Sequence, residues 1–489
     1  MEKRAISIPS RDLPKTAAPN INKIVHSTTQ GVIGSNENRY NHNWLIGYDS
    51  HEFQQQFQQF YLKITHLLHQ GAPPKILLAE RNPLRFLAGF IAACVTGCPV
   101  FLCNPSWVKQ EWQQVFKLVQ PDLILGYGDW GLAVRDYYPS PQPAILNPEW
   151  IMIPTGGSSG QIRFAIHTWQ TLMASVRGFQ QYFQLQQVNS FCVLPLYHVS
   201  GLMQFLRSFT TGGQLVVLPF KELLAGVKCD IDPGKFFISL VPTQLQRLLE
   251  NPTLATWLSR FQTVLLGGAP AWPELLEQAR NYGIRLAPTY GMTETASGIV
   301  TLKPDDFLRG TMSCGQVLPH AKVTIRSPTG QLLGANQTGI ITIEADSLTL
   351  GYYPEFFTNQ DSFQLDDLGF FDTQGYLNIV GRNSNKILSG GENIFPEEVE
   401  AAIRATQLVN DVCVIGIPDQ YWGQIIIAVY VPSQSDVSTT ALQTAIEEKL
   451  TKYKRPKHWI PVESLPRNSQ GKLNRQQLLQ IAQSVSAQV

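Results

Sequence analysis

Short apolar runs alternate with stretches of helical periodicity along most of the chain, and that alternation predicts its architecture. Helical spacing from about Glu52 to Gln70 and from Pro83 to Val95 is interleaved with the strand-like runs Lys75–Ala79 and Leu123–Leu125. The series continues with Phe191–Pro195, Leu215–Leu218, Phe237–Val241 and Thr263–Leu266, each followed closely by Pro or Gly. Continuous apolar runs between helices predict an α/β layered domain with much parallel sheet, and loops at strand C-termini are where such folds bind ligands. After about Val317 the texture becomes alternating strands with turns, as in Lys322–Ile325 and Gly339–Ile343, which reads as a β-rich subdomain. A polar break at Gly381–Asn385 precedes a predicted helix over Pro396–Ala405, strands over Asp411–Ile417 and Ile425–Val431, and a helix over Ser438–Leu450. The pattern divides the chain into a large N-terminal domain, 1–383, and a small C-terminal α+β domain, 384–489. Residues 1–40 are polar and weakly periodic and are expected to form a loose strap.

Composition narrows the class. Hydrophobic residues make up 44% and charged residues 15% of 489 positions, and the net charge of +1 supplies no bulk field for nucleic acid or an anionic membrane. Met1–Arg4 is followed by no apolar segment of signal-peptide type. The uncharged run Phe86–Cys103 is broken at Thr96-Gly97-Cys98-Pro99, so it reads as a buried helix and strand rather than a membrane span. Seven scattered cysteines without a CxxC pair indicate reduced thiols and a cytoplasmic setting.

The stretch richest in chemistry is Pro154-Thr155-Gly156-Gly157-Ser158-Ser159-Gly160-Gln161-Ile162-Arg163. Successive N–H groups in such a turn form an anion nest, hydroxyls add donors, and Arg163 adds a delocalised charge. A flexible surface hairpin is the bland alternative. The same residues also satisfy G-x-S-x-G, so a serine hydrolase acting through Ser158 is a remote alternative, which requires a helix after the elbow. Gln161–Ile166 reads instead as a strand. The sequence contains no Walker A, HExxH or zinc-spaced cysteine set. Arg207, in the apolar stretch Met203–Leu206, calls for an anionic partner.

Further motifs follow in order: Gly267-Gly268-Ala269-Pro270, Thr289-Tyr290-Gly291-Met292-Thr293-Glu294-Thr295, Asp366-Asp367-Leu368-Gly369, Gly381-Arg382, Ser389-Gly390-Gly391-Glu392-Asn393, and Asn468-Ser469-Gln470-Gly471-Lys472-Leu473. Together with the glycine loop, this ordered set resembles the acyl- and aryl-CoA ligase branch of the adenylate-forming superfamily, over residues from about 75 to 480. The resemblance implies ATP, Mg²⁺ and coenzyme A as cofactor and co-substrates, and a C-terminal domain that rotates about a hinge near Ser384. It implies that Thr155, Gly157, Ser158, Ser159, Gly160 and Arg163 hold phosphates, that Thr293 donates to the α-phosphate, and that Glu294 binds Mg²⁺. Gly268, Ala269 and Tyr290 would flank adenine, and Asp367 would bind the ribose, with Arg382 in support and Asp372 as a less well-placed rival. Lys472 would bridge carboxylate and α-phosphate, and Gly390 and Gly391 would line the pantetheine path. His198, in Pro195-Leu196-Tyr197-His198-Val199-Ser200-Gly201, would stand at the acyl tunnel mouth.

Within the family, that segment with Arg207 nine residues on resembles the o-succinylbenzoate–CoA ligases of menaquinone and phylloquinone biosynthesis, whose substrate carries a second, aromatic carboxylate for Arg207. Another aryl- or acyl-CoA ligase is the alternative. Gly156, Ile162, Arg163, Asp366 and Asn385 depart from the family's usual Ser, Pro, Lys, Gly and acidic residue. These departures leave room for a catalytically impaired scaffold homologue, against which Lys472 and Thr293-Glu294 argue. The basic run Lys452–Lys457 could be a solvated face, a nucleic-acid patch or a contact for CoA phosphates. The expected partners are thus small molecules, with no nucleic acid and no membrane span.

Overall fold

The computed structural model describes residues 44–126, 150–156, 161–227, 229–358, 362–389, 392–419, 421–435, 437–467 and 473–486. The expected N-terminal strap, the loop residues Gly157–Gly160, Gly390–Gly391 and Lys472 lie outside them.

Two large sheets form the N-terminal part. One has eight strands and is parallel from Leu45–Ile46 through Leu215–Val217, Asn189–Cys192, Phe236–Leu240 and Thr263–Leu266 to Leu286–Met292, then closes antiparallel with Ser297–Thr301 and Gln316–Val317. The other has seven strands around Ile76–Leu78, Val100–Leu102 and Ile151–Gly156, which pair in parallel. The parallel strands Ile76–Leu78, Val100–Leu102 and Leu123–Leu125 are wholly apolar, as burial on both faces of a parallel sheet requires. The helix Pro83–Val95 shares in that burial. Asn82 caps it by accepting from the Arg85 N–H, Pro83 stands in the first turn where its missing N–H costs nothing, and nine of its residues are buried. It ends before Gly97, at φ +65°, and the next strand is Val100–Leu102, so the long uncharged run is indeed a helix and a strand. Among the described residues no helix is long and apolar enough to cross a membrane.

The β-rich segment is a four-stranded antiparallel sheet, Ala321–Arg326, Gly339–Ala345, Phe363–Phe371 and Leu377–Arg382. Beyond it lies a five-stranded sheet built on the long pair Val409–Asp419 and Gly423–Pro432. Two apolar clusters, around Ile387, Val399 and Tyr430 and around Cys413, Ile427 and Leu478, are made from residues of this C-terminal part alone. The helix expected over Ser438–Leu450 is shorter, Thr439–Ala445. Arg455 donates to the Leu450 and Glu447 carbonyls, and this side-chain capture holds the following residues in turns. All seven cysteines are free.

Candidate active site

Antiparallel strands flank the glycine-rich stretch. Strands Ile151–Gly156 and Ile162–His167 pair Thr155 with Arg163 and Gly156 with Ile162, and the next helix, Trp169–Phe183, begins only after the second strand. A nucleophile elbow needs a strand–turn–helix, so the hydrolase reading through Ser158 fails on the flanking geometry. Ile162 uses the N–H that a proline would lack, donating to Gln114 Oε1 at 3.2 Å. Arg163 is exposed, and its guanidinium lies 4.3 Å over the Tyr352 ring. The Tyr352 hydroxyl donates to Glu294 Oε1 at 2.6 Å. Burial and the Glu294 carboxylate push the Tyr352 phenol well above its ordinary pKa, so it remains a donor.

Thr293 and Glu294 sit in a single 3₁₀ turn, Thr293–Thr295, between strands Leu286–Met292 and Ser297–Thr301. Gly291 is required there, since a Cβ would stand 2.1 Å from the Ser297 carbonyl oxygen. Glu294 is only 7% exposed, and its Oε1 is engaged by a neutral hydroxyl rather than a cation. No cluster of three or more metal-ligating side chains occurs among the described residues. One hard carboxylate beside a phosphate hairpin fits Mg²⁺, which keeps water and substrate phosphates as its other ligands.

The residues expected to hold the nucleotide lie on strands or just after them. Gly268, at φ +83°, and Ala269 leave strand Thr263–Leu266, which pairs in parallel with the strand carrying Tyr290. Asp367 is 9% exposed and accepts from the Tyr290 hydroxyl at 2.5 Å through Oδ2 and from Arg382 Nε at 3.0 Å through Oδ1. Each oxygen keeps further acceptor capacity, as a ribose diol would require. Burial, and after it the Asp367 carboxylate, raises the Tyr290 phenol far above its usual value. Asp372 is a turn residue, accepting from the Gln374 and Tyr376 amides at 2.9 Å. Asp366 accepts from the Ser384 amide at 3.1 Å and from its hydroxyl.

The residues expected on the acyl side lie on or beside the helix Val199–Thr211. His198 is its N-terminal flanking residue, in edge contact with Tyr197 at 4.5 Å. Gly201 allows the first turn to pass against the preceding loop, because a Cβ would lie 2.2 Å from the Pro195 carbonyl oxygen. Arg207 is 4% exposed, lies 4.0 Å over the Phe179 ring, and donates from Nη2 to Ser297 Oγ at 3.3 Å. Its Nε has no partner, and no carboxylate among the described residues pairs with it. Burial alone pulls its pKa down to about 10, so it stays cationic at neutral pH. Ser297 lies three residues beyond Glu294 in sequence, so its hydrogen bond sets Arg207 beside the end of the same turn.

Sequence reasoning missed Tyr352, Ser297, Phe179 and His167. His167 is fully buried, with Nε2 2.8 Å from the Thr293 carbonyl oxygen, and burial holds its pKa down at about 4. Only the Gly351-Tyr352-Tyr353-Pro354 cluster carried a readable signal, a glycine–aromatic turn. The rest are single polar or aromatic residues in helices and strands with no local pattern.

A hairpin flanking a glycine- and hydroxyl-rich loop, a Thr-Glu turn beside it and a buried aspartate held by Tyr290 and Arg382 are the arrangement expected of an adenylate-forming enzyme. The AMP-binding enzyme family model matches residues 129–353 and the AMP-binding enzyme C-terminal domain model matches 398–472. A 2-succinylbenzoate–CoA ligase of Enterococcus faecalis is 34% identical over 69% of this chain and 70% of that protein. One from Bacillus cereus is 32% identical over 88% of this chain and 94% of its own length. The o-succinylbenzoate CoA synthetase of Bacillus subtilis, solved with its acyl-adenylate intermediate, superposes with a TM-score of 0.76 at 24% identity, covering 94% of this chain and 98% of that one. The chain belongs to the AMP-binding enzyme family, in its acid–CoA ligase branch, and groups there with the 2-succinylbenzoate–CoA ligases.

Proposed function

We propose that this protein is an ATP-dependent ligase that converts o-succinylbenzoate to o-succinylbenzoyl-CoA through an acyl-adenylate, a step of menaquinone or phylloquinone biosynthesis. The observation that carries the substrate is Arg207, a buried cation with an unpartnered Nε and no carboxylate of its own. A buried charge without a counter-ion is costly, and a substrate carboxylate would relieve that cost on binding. The relatives that cover most of this chain act, by name, on that dicarboxylate.

In the first half-reaction an oxygen of the succinyl carboxylate attacks the α-phosphorus, the bond to the β-phosphate oxygen breaks, and pyrophosphate leaves. Thr155, Gly157, Ser158, Ser159, Gly160 and Arg163 would receive the phosphates, and Thr293 would donate to the α-phosphate. Glu294 would hold Mg²⁺, whose positive charge offsets that gathering on the phosphates. Asp367 and Arg382 would fix the ribose, and Gly268, Ala269 and Tyr290 the adenine. Lys472 would bridge carboxylate and α-phosphate, carried on a mobile domain spanning 384–489 that hinges near Ser384 against 1–383. In the second half-reaction the CoA sulfur attacks the acyl carbon and gives up its proton, the acyl–phosphate bond breaks, and AMP leaves. Gly390 and Gly391 would leave room for pantetheine, with His198 at the tunnel mouth. Free cysteines suit a cytoplasmic setting.

The test is pyrophosphate release against a panel of carboxylates, with and without CoA. The expected result is the highest kcat/KM for o-succinylbenzoate, with thioester formed only when CoA is present. A clear preference for a monocarboxylate would refute the dicarboxylate assignment.

A further inference from the structure

We propose that His167 is a positioning residue for adenylate formation, holding the Thr293–Glu294 turn through the Thr293 carbonyl; this rests on the roles given to Thr293 and Glu294 above. His167 closes the second strand of the phosphate hairpin and is fully buried. Its Nε2 lies 2.8 Å from the Thr293 carbonyl oxygen and its Nδ1 3.0 Å from Thr171 Oγ1. A carbonyl oxygen only accepts, so Nε2 carries the proton and Nδ1 is the acceptor, facing the Thr171 hydroxyl. Two helical turns after His167, Ser175 donates to the Ala296 carbonyl at 2.7 Å, and from the other side the Thr349 amide donates to the Glu294 carbonyl at 2.8 Å. Two backbone carbonyls of the short turn, and that of Ala296 just after it, are therefore gripped from outside.

The turn needs such a grip. Ala296 and Ser297 follow it at φ +50° and +90°, successive left-handed positions without glycine. Conformations of this kind are strained for residues with a side chain and persist only where surrounding groups over-determine them. A leucine would fill the same space without the hydrogen bond. The imidazole, carried on the strand Ile162–His167 of the hairpin, therefore fixes where the Thr293 hydroxyl and the Glu294 carboxylate stand.

The experiment compares His167→Leu and His167→Gln with the wild-type chain. Four quantities are read: adenylation by pyrophosphate release, thioester formation from supplied acyl-adenylate, thermal midpoint, and calorimetric ATP affinity with and without Mg²⁺. A displacement of about 1 Å at a reacting group can cost on the order of a hundredfold, so His167→Leu should slow adenylation by about that factor. It should leave the carboxylate KM, the thioester half-reaction and the thermal midpoint nearly unchanged, and it should shrink the gain in ATP affinity that Mg²⁺ confers. His167→Gln, whose amide N–H can still reach the carbonyl, should recover most of the rate, and imidazole ¹⁵N spectra of the wild type should show the Nε2–H tautomer. The proposal is overturned if adenylation by His167→Leu is intact, if both half-reactions fall together with the thermal midpoint, or if glutamine rescues no better than leucine. A wild type that adenylates no carboxylate would overturn the parent reading instead, and the tautomer and the Mg²⁺ effect on ATP affinity would still test this one.

Discussion

Replacing Arg207 with leucine separates a substrate-binding charge from a structural one. A structural arginine stabilises the empty protein, so its loss lowers the thermal midpoint. Arg207 should do the reverse. Its pKa is drawn down to about 10 by burial with no opposing carboxylate, a bias of roughly 3 kcal/mol against the charged form. A cation depressed in the folded state penalises folding at every pH below the folded value, and the penalty fades only as the pH rises through about 10. At pH 7 to 8 leucine removes that penalty in full. Against this stand the hydrogen bond to Ser297 and the contact with Phe179, together worth about 1–3 kcal/mol. The empty Arg207→Leu protein should therefore be as stable as wild type or up to about 2 kcal/mol more so, by the difference of those terms.

Binding should show the opposite sign. A charge-assisted hydrogen bond to a carboxylate contributes about 1.5–3 kcal/mol, so affinity for o-succinylbenzoate should fall roughly ten- to a hundredfold. ATP affinity should barely move. An analogue lacking the aromatic carboxylate should be nearly indifferent to the substitution. The assays are thermal shift with and without substrate, and pyrophosphate release with both acids. Loss of stability in the empty variant, or equal loss with both acids, would show that Arg207 is structural and refute the reasoning.

Lys472→Ala should abolish adenylation while supplied acyl-adenylate is still converted to thioester; equal loss in both half-reactions would remove Lys472 from the first step. Glu294→Gln keeps an acceptor for the Tyr352 hydroxyl and should fold normally. It should raise the Mg²⁺ concentration needed for half-maximal adenylation by about tenfold or more, and an unchanged requirement would displace the metal assignment. Asp367→Asn leaves Tyr290 and Arg382 with a neutral partner. It should weaken ATP binding about tenfold by calorimetry, from the loss of charged acceptors for the ribose, with the carboxylate KM unchanged.

What the sequence made legible follows from how local each signal is. The strands Leu123–Leu125 and Thr263–Leu266 were read to the residue, because a buried parallel strand is a continuous apolar run bounded by breakers. The strand after the glycine-rich loop was legible over Gln161–Ile166 to within a residue, although the loop itself lies outside the described residues. The contacts that arm the site were not. Tyr352 reaches Glu294 across 58 positions, Arg207 reaches Ser297 across 90, and His167 reaches Thr293 across 126. Nothing near each residue marks its partner. The helix expected to Leu450 failed for a related reason, since the competitor for its carbonyls is Arg455, outside the periodic window.

Asp366 and Asn385 show how two departures can be one feature. Taken singly, an aspartate in place of glycine before the ribose aspartate adds an unneeded charge, and an asparagine at the hinge removes a needed one. In the fold the Asp366 carboxylate accepts from the Ser384 amide and hydroxyl, and Ser384 and Asn385 share the 3₁₀ turn Asn383–Asn385. The carboxylate missing from the turn is thus supplied from the adjacent strand Phe363–Phe371, one residue before Asp367. If this turn is the hinge and Asp367 holds the ribose, rotation breaks a bond to the strand that carries Asp367. Nucleotide binding and domain position would then be coupled through two neighbouring aspartates rather than through a charge on the hinge itself.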